Sequence, residues 1–224
     1  ENNHMFDTPL LLAKNEGLTF DQRLAKRVLD LVVSIIALVI TSPVMLVIAI
    51  AIKAYDGGPV FFVQDRCTIN GKVFKIHKFR SMIENAEKDG EVIPATDDDA
   101  RITPVGKIIR KTRLDELPQF FDILIGNMSV VGPRPERVEH VEKYVEEVPE
   151  FTYRMKVKGG LTGYAQIYGK YNTSAYDKLK LDLMYIQNYS ILLDLRLILM
   201  TVKIMFIKDS TEGFEEIKPS EKKD

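Results

Sequence analysis

The sequence predicts an α+β fold, with a re-entrant membrane helix hairpin followed by a small cytoplasmic domain that carries a β-hairpin and amphipathic interfacial helices. Three observations predict it. Leu31 to Ile52 holds 22 consecutive residues without a charge. PVFFVQDRC and KVFKIHKF flank Asn70-Gly71 as two β-branched, aromatic-rich runs around a tight turn. Later segments repeat apolar residues at helical spacing.

The apolar segment comes first. As a helix it reaches about 33 Å, against a hydrocarbon core of about 30 Å. Pro43 interrupts it, because a proline lacks the amide proton and its ring collides with the carbonyl of Val39, four residues back. Ser42 can return a hydroxyl to a freed carbonyl. Arg23, Lys26 and Arg27 precede the segment and Lys53 follows it, and positive residues favour the cytoplasmic side. With both ends on that side, Ser42 and Pro43 mark a turning point between Val28–Thr41 and Val44–Lys53, arms of about 15 to 21 Å that are too short to cross alone. Asp30 is expected to pair with Arg27 or Lys26 near the headgroups. A kinked spanning helix fits the charges and the proline equally well.

The β-hairpin follows over Pro59 to Phe79, and its return strand carries Lys72, Lys75, Lys78 and Arg80. Residues 81–91 read as a short polar helix and EVIPATDDDA as a loop. ITPVGKIIRKT is a short amphipathic helix with Lys107, Arg110 and Lys111 on its basic face. In RLDELPQFFDILIG the residues Leu117, Phe120, Phe121 and Leu124 recur at helical spacing. Pro118 is harmless only in a first turn, which makes Asp115 the expected N-cap and places Glu116 in the first turn, where the helix dipole favours negative charge. Aspartate is a favoured cap in any protein, so this placement alone assigns no chemistry.

GPRPE sets Arg134 between Pro133 and Pro135, which stiffen the turn and present a guanidinium suited to a diphosphate. PERVEHVEKYVEEVPEF reads as a charged helix. KVKGGLTGYAQIYGKYNTS is Gly-rich and mostly irregular, and it matches neither the Walker nor the dinucleotide spacing. YDKLKLDLMYIQNYS and ILLDLRLILMTVKIMFIK are helices, the second a core helix or one lying in a membrane interface. DDD at 97–99 satisfies a DxD metal pattern, which short acidic loops often do by chance. A net charge of −1 offers no global attraction for nucleic acid, and the lone Cys67 excludes an internal disulfide and fits a reducing compartment.

KRVLD before a run broken at Ser-Pro, GPVFFVQDR, NGKVFKIHKFRSM, ITPVGKIIRKTRLDELPQFFDILIGNMSVVGPRPE and GLTGYAQIYGK, in this order, resemble the bacterial sugar transferase family of monotopic phosphoglycosyl transferases. The resemblance covers about residues 24–207. It implies transfer of a hexose-1-phosphate from a UDP-sugar to undecaprenyl phosphate, with Mg²⁺, at the cytoplasmic face of the bacterial inner membrane. It further implies that Ser42 and Pro43 turn the membrane hairpin and that Asp115 is the nucleophile, with Glu116 as its metal-linked partner. Lys78 and Arg110 fall at active-site basic positions, Arg134 in the nucleotide-sugar turn with Pro133 and Pro135, and Asp182 at a supporting acidic position.

Two departures stand out. Gly159-Gly160 replaces the usual Pro-Gly, and Lys170 stands where many members have arginine, so its phosphate contact lacks the paired geometry of a guanidinium. The expected division is a remnant and linker over 1–21, the re-entrant helix over 22–53, the catalytic domain over 54–208 and a disordered tail over 209–224. A homodimer is a fair expectation for the family, and no nucleic-acid partner is expected. Two other readings differ in chemistry. One is a membrane-associated glycosyltransferase that uses the DxD pattern and releases UDP. The other is a non-catalytic membrane scaffold for glycan assembly in which Asp115 only caps a helix.

Overall fold

The computed structural model describes residues 17–84, 86, 99–169 and 174–206. The first helix, α1 (Phe20–Asp56), opens on a capping box. The Thr19 hydroxyl accepts from the Gln22 amide and the Gln22 side chain accepts from the Thr19 amide, a cap worth about 1 kcal/mol. It closes at Gly57, whose φ of 72° suits a residue without a Cβ.

Both expected arms lie within one helix that has Pro43 inside it. The hydroxyl of Ser42 donates to Val39 O at 2.9 Å, the carbonyl that Pro43 cannot serve, and Thr41 Oγ1 donates to Ala37 O at 2.7 Å. These bonds offset part of the roughly 3 kcal/mol that an interior proline costs.

The buried stripe of α1 keeps its phase across the proline. Lys26, Asp30 and Ser34 in the first half and Met45, Ile48 and Ile52 in the second all face the domain. Val28, Val32, Ile35, Ile36, Val39, Ile40, Leu46, Val47 and Ile50 are exposed on the other side. The helix is long and apolar enough to cross a membrane by length and composition. Asp30 departs from its expected ion pair with Lys26 or Arg27. Its Oδ1 instead accepts from Ser129 Oγ at 2.9 Å and the Val130 amide at 2.8 Å, because burial leaves the carboxylate no water.

β1 (Phe61–Cys67) and β2 (Val73–Phe79) form the expected antiparallel hairpin, in register from Phe61↔Phe79 to Cys67↔Val73. Asn70 and Gly71 both adopt positive φ, 56° and 71°, as an Asn-Gly turn requires. Residues 81–84 are not the start of a helix, since Met82 bridges to Ile102; the remainder of the expected polar helix, apart from residue 86, lies outside the described residues.

α2 (Pro104–Lys111) is the expected amphipathic helix, and it starts behind a Thr103 cap. A 3-10 turn over Leu114–Glu116 leads into α3 (Gln119–Ile125). β3 (Ser129–Val131) pairs in parallel with β4 (Gly160–Thr162), which shows a strand where the sequence read as irregular. α4 (Val138–Glu147) and a 3-10 stretch over Pro149–Lys156 lie between them, and α5 (Tyr164–Tyr168) follows β4. α6 (Ala175–Gln187) and α7 (Ile191–Phe206) complete the domain.

One core gathers Phe74, Ile76, Ile123, Val131, Phe151, Leu183 and Leu197. A second joins Met45, Ile48 and Ile52 of α1 to Phe79 and Ile109, with Leu114 and Leu117 packed against it. The two halves of α1 therefore rest on one domain. α7 is neither wholly core nor wholly surface. Asp194 and Leu197 are buried, while Leu192 (77% exposed) and Leu199 (70%) belong to an outward apolar stripe with Leu195 and Val202.

Candidate active site

Arg113 adopts φ 55°, a left-handed conformation that costs a non-glycine residue about 1 kcal/mol. It turns the chain into the 3-10 turn, where the Leu117 amide donates to Leu114 O at 3.3 Å. Asp115 is consequently not the N-cap of α3, which starts four residues later behind Pro118, whose φ of −59° suits proline. The expected macrodipole support for Asp115 does not arise, because α3 is a seven-residue helix that begins beyond it. Of the residues at helical spacing, Leu117 and Phe120 pack against the two cores, but the buried face of α3 is centred elsewhere. Gln119, Asp122 and Ile123 point inward, and Phe121 is exposed.

The turn holds Asp115 and Glu116 beneath β2 and the GPRPE turn. Lys78 Nζ donates to Glu116 Oε1 at 2.8 Å and Arg134 Nη2 donates to the same oxygen at 2.9 Å. Both bonds end on Oε1, so among the described residues Oε2 keeps its lone pairs. Burial alone would raise the Glu116 carboxyl, but Arg134 and Lys78 outweigh it and hold the group well below the usual carboxylate range. Glu116 is thus a fixed anion.

Asp115 differs. Burial pushes its carboxyl above the usual range, the Lys78 charge opposes that, Glu116 adds to the rise, and Arg110 opposes it. No side-chain hydrogen bond to the Asp115 carboxylate is present among the described residues. It is a half-buried carboxylate whose one hydrogen-bond partner among the described residues is its own backbone amide, beside cations. Burial lowers the Lys78 amine, with Glu116 opposing. Arg110, exposed on α2, reaches Ser81 Oγ at 3.5 Å and acts on Asp115 through its charge.

The GPRPE turn is fixed from behind. Pro133 O accepts from the Gly160 amide at 2.9 Å, and Pro135 O accepts from Arg66 Nη1 at 3.1 Å. Asp182, fully buried, accepts from Arg154 Nε at 2.7 Å, and Arg154 Nη2 donates to Arg134 O at 2.9 Å. Asp182 therefore reaches the site through the arginine that carries the turn, not by facing it.

Arg66 and Arg154 were not singled out from the sequence, and no motif signals them, since their partners are distant in the chain. Burial, then the charge of Arg134, draws the Arg66 guanidinium down to about 10, still fully charged at neutral pH. Lys170 lies outside the described residues, as do Asp97 and Asp98 of the DxD pattern. Asp99 is occupied, because Arg101 Nε lies within 3.1 Å of both its carboxylate oxygens and holds the carboxyl down at about 2.

The Gly159 departure has a local reason. Its amide donates to the buried Thr68 Oγ1 at 3.1 Å, a bond proline cannot make, and a Cβ there would approach Pro135 Cγ to 2.5 Å.

For a divalent cation the described residues supply two adjacent carboxylates and no group of three ligands. That donor set fits Mg²⁺, which takes one or two carboxylates and completes its octahedron with water and phosphate oxygens. A half-buried carboxylate, a fixed anion and three cations, Lys78, Arg110 and Arg134, suit a nucleophile working on a diphosphate.

Residues 21–208 match the family model described as bacterial sugar transferase. The chain is 46% identical over 211 residues to a UDP-glucose:undecaprenyl-phosphate glucose-1-phosphate transferase of Klebsiella pneumoniae, covering 92% of this chain and 43% of that protein. It is 43% identical over 181 residues to a UDP-N-acetylgalactosamine-undecaprenyl-phosphate N-acetylgalactosaminephosphotransferase of Aeromonas hydrophila, covering 80% of this chain and 43% of that protein. An uncharacterized sugar transferase of Bacillus subtilis (strain 168) is 37% identical over 187 residues, 84% of this chain and 90% of its own length. The chain thus spans less than half the length of the first two relatives.

Proposed function

This chain belongs to the bacterial sugar transferase family, and from that premise we propose that it transfers a hexose-1-phosphate from a UDP-sugar to undecaprenyl phosphate. The step would open exopolysaccharide, capsule or other glycoconjugate assembly. The observation that carries the mechanism is the contrast within one turn, where Glu116 is locked between Lys78 and Arg134 while the Asp115 carboxylate has no side-chain partner among the described residues.

An oxygen of ionised Asp115 attacks the β-phosphorus of the donor. The bond from that phosphorus to the bridging oxygen breaks, and UMP leaves with the electron pair. The sugar phosphate then rests on Asp115 as an acyl phosphate. A phosphate oxygen of undecaprenyl phosphate next attacks the same phosphorus, the bond to Asp115 breaks, and the carboxylate is restored. No oxidant or water is consumed. Arg134 and Lys78 neutralise the diphosphate, and Arg110 on the open side adds a third charge, since phosphoryl transfer depends mostly on positioning and electrostatics. Asp115 and the free Oε2 of Glu116 would hold Mg²⁺, which when bound would lower the charge repulsion between carboxylate and phosphate.

The lipid acceptor gives α1 its purpose. Both halves of α1 pack on one domain and its other side is a continuous apolar face, which supports insertion into one leaflet from the cytoplasmic side with return near Ser42 and Pro43. A spanning helix would carry one end away from the domain. The outward stripe of α7, flanked by Arg196 and Lys203, supports placing that helix at the same lipid surface.

The test is direct. Detergent-solubilised protein incubated with UDP-sugar and Mg²⁺ but no acceptor should gain the mass of one sugar phosphate and release UMP, and Asp115→Ala should do neither. Release of UDP would instead favour a glycosyltransferase that moves the sugar alone. An unmodified protein and no nucleotide release with UDP-glucose, UDP-galactose and their acetamido forms would leave the scaffold reading.

A further inference from the structure

Beside the Asp115–Glu116 turn lies a pair, a buried aspartate and a part-exposed histidine, that the mechanism has not used. Asp122 on α3 is completely buried, and both of its carboxylate oxygens are engaged by a single residue of β2. The His77 amide donates to Oδ2 at 2.9 Å, and His77 Nδ1 lies 2.8 Å from Oδ1. A carboxylate only accepts, so Nδ1 carries the proton. Among the described residues β2 pairs with β1 alone, so the His77 amide faces the open edge of the hairpin, and Asp122 covers that edge.

The placement has a consequence for the site. His77 immediately precedes Lys78, and Asp122 stands on the helix that follows Glu116. One two-point contact therefore ties the strand that carries the lysine to the segment that carries its partner. Lys78 and Glu116 are both mostly buried, which leaves the lysine stem few other conformations, so the strand's position decides whether Nζ meets Glu116 Oε1. Two bonds from one residue fix sliding as well as distance, which a single bond would not.

We propose that Asp122 and His77 are positioning residues, whose paired hydrogen bonds hold β2 where Lys78 meets Glu116 and the donor diphosphate. The proposal deepens the reading given above and depends on it only for what Lys78 neutralises. Neither residue touches substrate.

Two variants of the full chain in detergent test it. Asp122→Asn keeps the shape but removes the charge, so the amide bond goes to a neutral, weaker acceptor and the Nδ1 contact survives only through the other His77 tautomer. His77→Phe keeps the ring and the amide bond and loses only the Nδ1 contact. The first readout needs no substrate, being acylation of Lys78 by an amine-reactive reagent, measured by mass spectrometry relative to exposed Lys107 on α2. Asp122→Asn should raise this ratio at least about threefold and His77→Phe should raise it less, as expected for a local loosening, while buried Lys26 stays unlabelled. The second readout is UMP release, which should fall at least about tenfold in Asp122→Asn and fall no further when that change is added to Lys78→Met, as coupled neighbours behave.

An unchanged Lys78 ratio in the folded variants would overturn the proposal, and so would an undiminished loss of turnover on top of Lys78→Met. If Asp122→Asn does not fold, the labelling ratio of His77→Phe decides alone. If the unaltered protein releases no UMP, the transfer reading fails, and the labelling arm still decides whether this pair sets the lysine.

Discussion

At the scale of single residues the two carboxylates of one turn have opposite electrostatic histories. Glu116 has its folded-state pKa depressed, so it contributes stability that is present above the ordinary glutamate value of about 4.3 and is lost as pH falls through the lower folded value. Glu116→Gln should therefore destabilise the protein by about 3 kcal/mol at neutral pH, because Lys78 and Arg134 are left facing each other unpaired. Urea denaturation at pH 7 checks the magnitude. Asp115 runs the other way, since its raised pKa means the folded protein holds its proton more tightly than the unfolded chain does. Stability then falls as pH rises between the two values, and Asp115→Asn should melt higher than the unaltered protein at neutral pH while losing turnover, as active-site carboxylates commonly do. For the same reason the acid limb of the pH–rate profile should lie above the ordinary aspartate value of about 3.9. A limb at or below that value would contradict the assignment of Asp115 as the group that must ionise. The residues of this site were legible where a motif held them together, as in KFR, DEL and GPRPE. Arg66 and Arg154 were not, because each finds its partner through packing of segments far apart in sequence.

At the scale of elements, legibility follows how local the deciding interaction is. The β1–β2 hairpin was readable because Asn70 and Gly71 themselves supply the two positive φ values the turn needs. α2 was readable as an amphipathic helix with Lys107, Arg110 and Lys111 on one face, and its start is fixed locally by the Thr103 cap and the first-turn Pro104. The start of α3 was not, because Pro118 permits several registers and the left-handed Arg113 selects a 3-10 turn among them. β3 and β4 are three residues each and pair only with one another, so periodicity had nothing to act on. Pro43 was expected to mark a turning point in α1, and the hydroxyls of Thr41 and Ser42 serve carbonyls beside it, so helical bonding continues past the proline. Replacing both by alanine leaves Val39 O without its 2.9 Å donor on the exposed apolar face. The expected cost is about 1 kcal/mol, from the range measured for side-chain bonds in membrane helices, with Ser42→Ala accounting for most of it. Thermal unfolding of the two single variants and the double in one detergent measures the split. Equal losses from Thr41→Ala and Ser42→Ala would show that the proline carbonyl is served by another group.

At the scale of the whole molecule, α1 is bound to the domain by polar anchors as well as by apolar packing, and each anchor reaches a different part. Lys26 Nζ donates to Asp194 Oδ2 of α7 at 2.6 Å and to the Tyr185 hydroxyl of α6 at 2.8 Å, and that hydroxyl donates to Asp194 Oδ1 at 2.8 Å. Arg27 donates to Ile123 O at 2.7 Å and Leu124 O at 2.8 Å, closing the C-terminus of α3. The apolar helix, the helix behind the reactive turn and the two C-terminal helices are therefore one mechanical unit. Its weakest design point is Asp194, completely buried with a single cation among the described residues to balance it. Burial already raises the Asp194 carboxyl against the pull of Lys26, so Lys26→Met should raise it further and shift the balance toward the neutral acid. Removing one partner of a buried pair costs about 3 to 5 kcal/mol while the other stays charged. With the folded pKa of Asp194 above its unfolded value, that penalty is small below the ordinary aspartate range and complete only above the raised value. The loss of stability in Lys26→Met should accordingly be larger at pH 8 than at pH 4. Adding Asp194→Asn, which removes the stranded charge and keeps an acceptor for Tyr185, should recover a large part of it at pH 8 and little at pH 4. Denaturant unfolding of the two variants at both pH values is the measurement. A pH-independent loss that Asp194→Asn does not relieve would mean that Lys26 holds α1 by packing on Tyr185 and Tyr189, over whose rings its ammonium also lies at 5.6 and 5.4 Å.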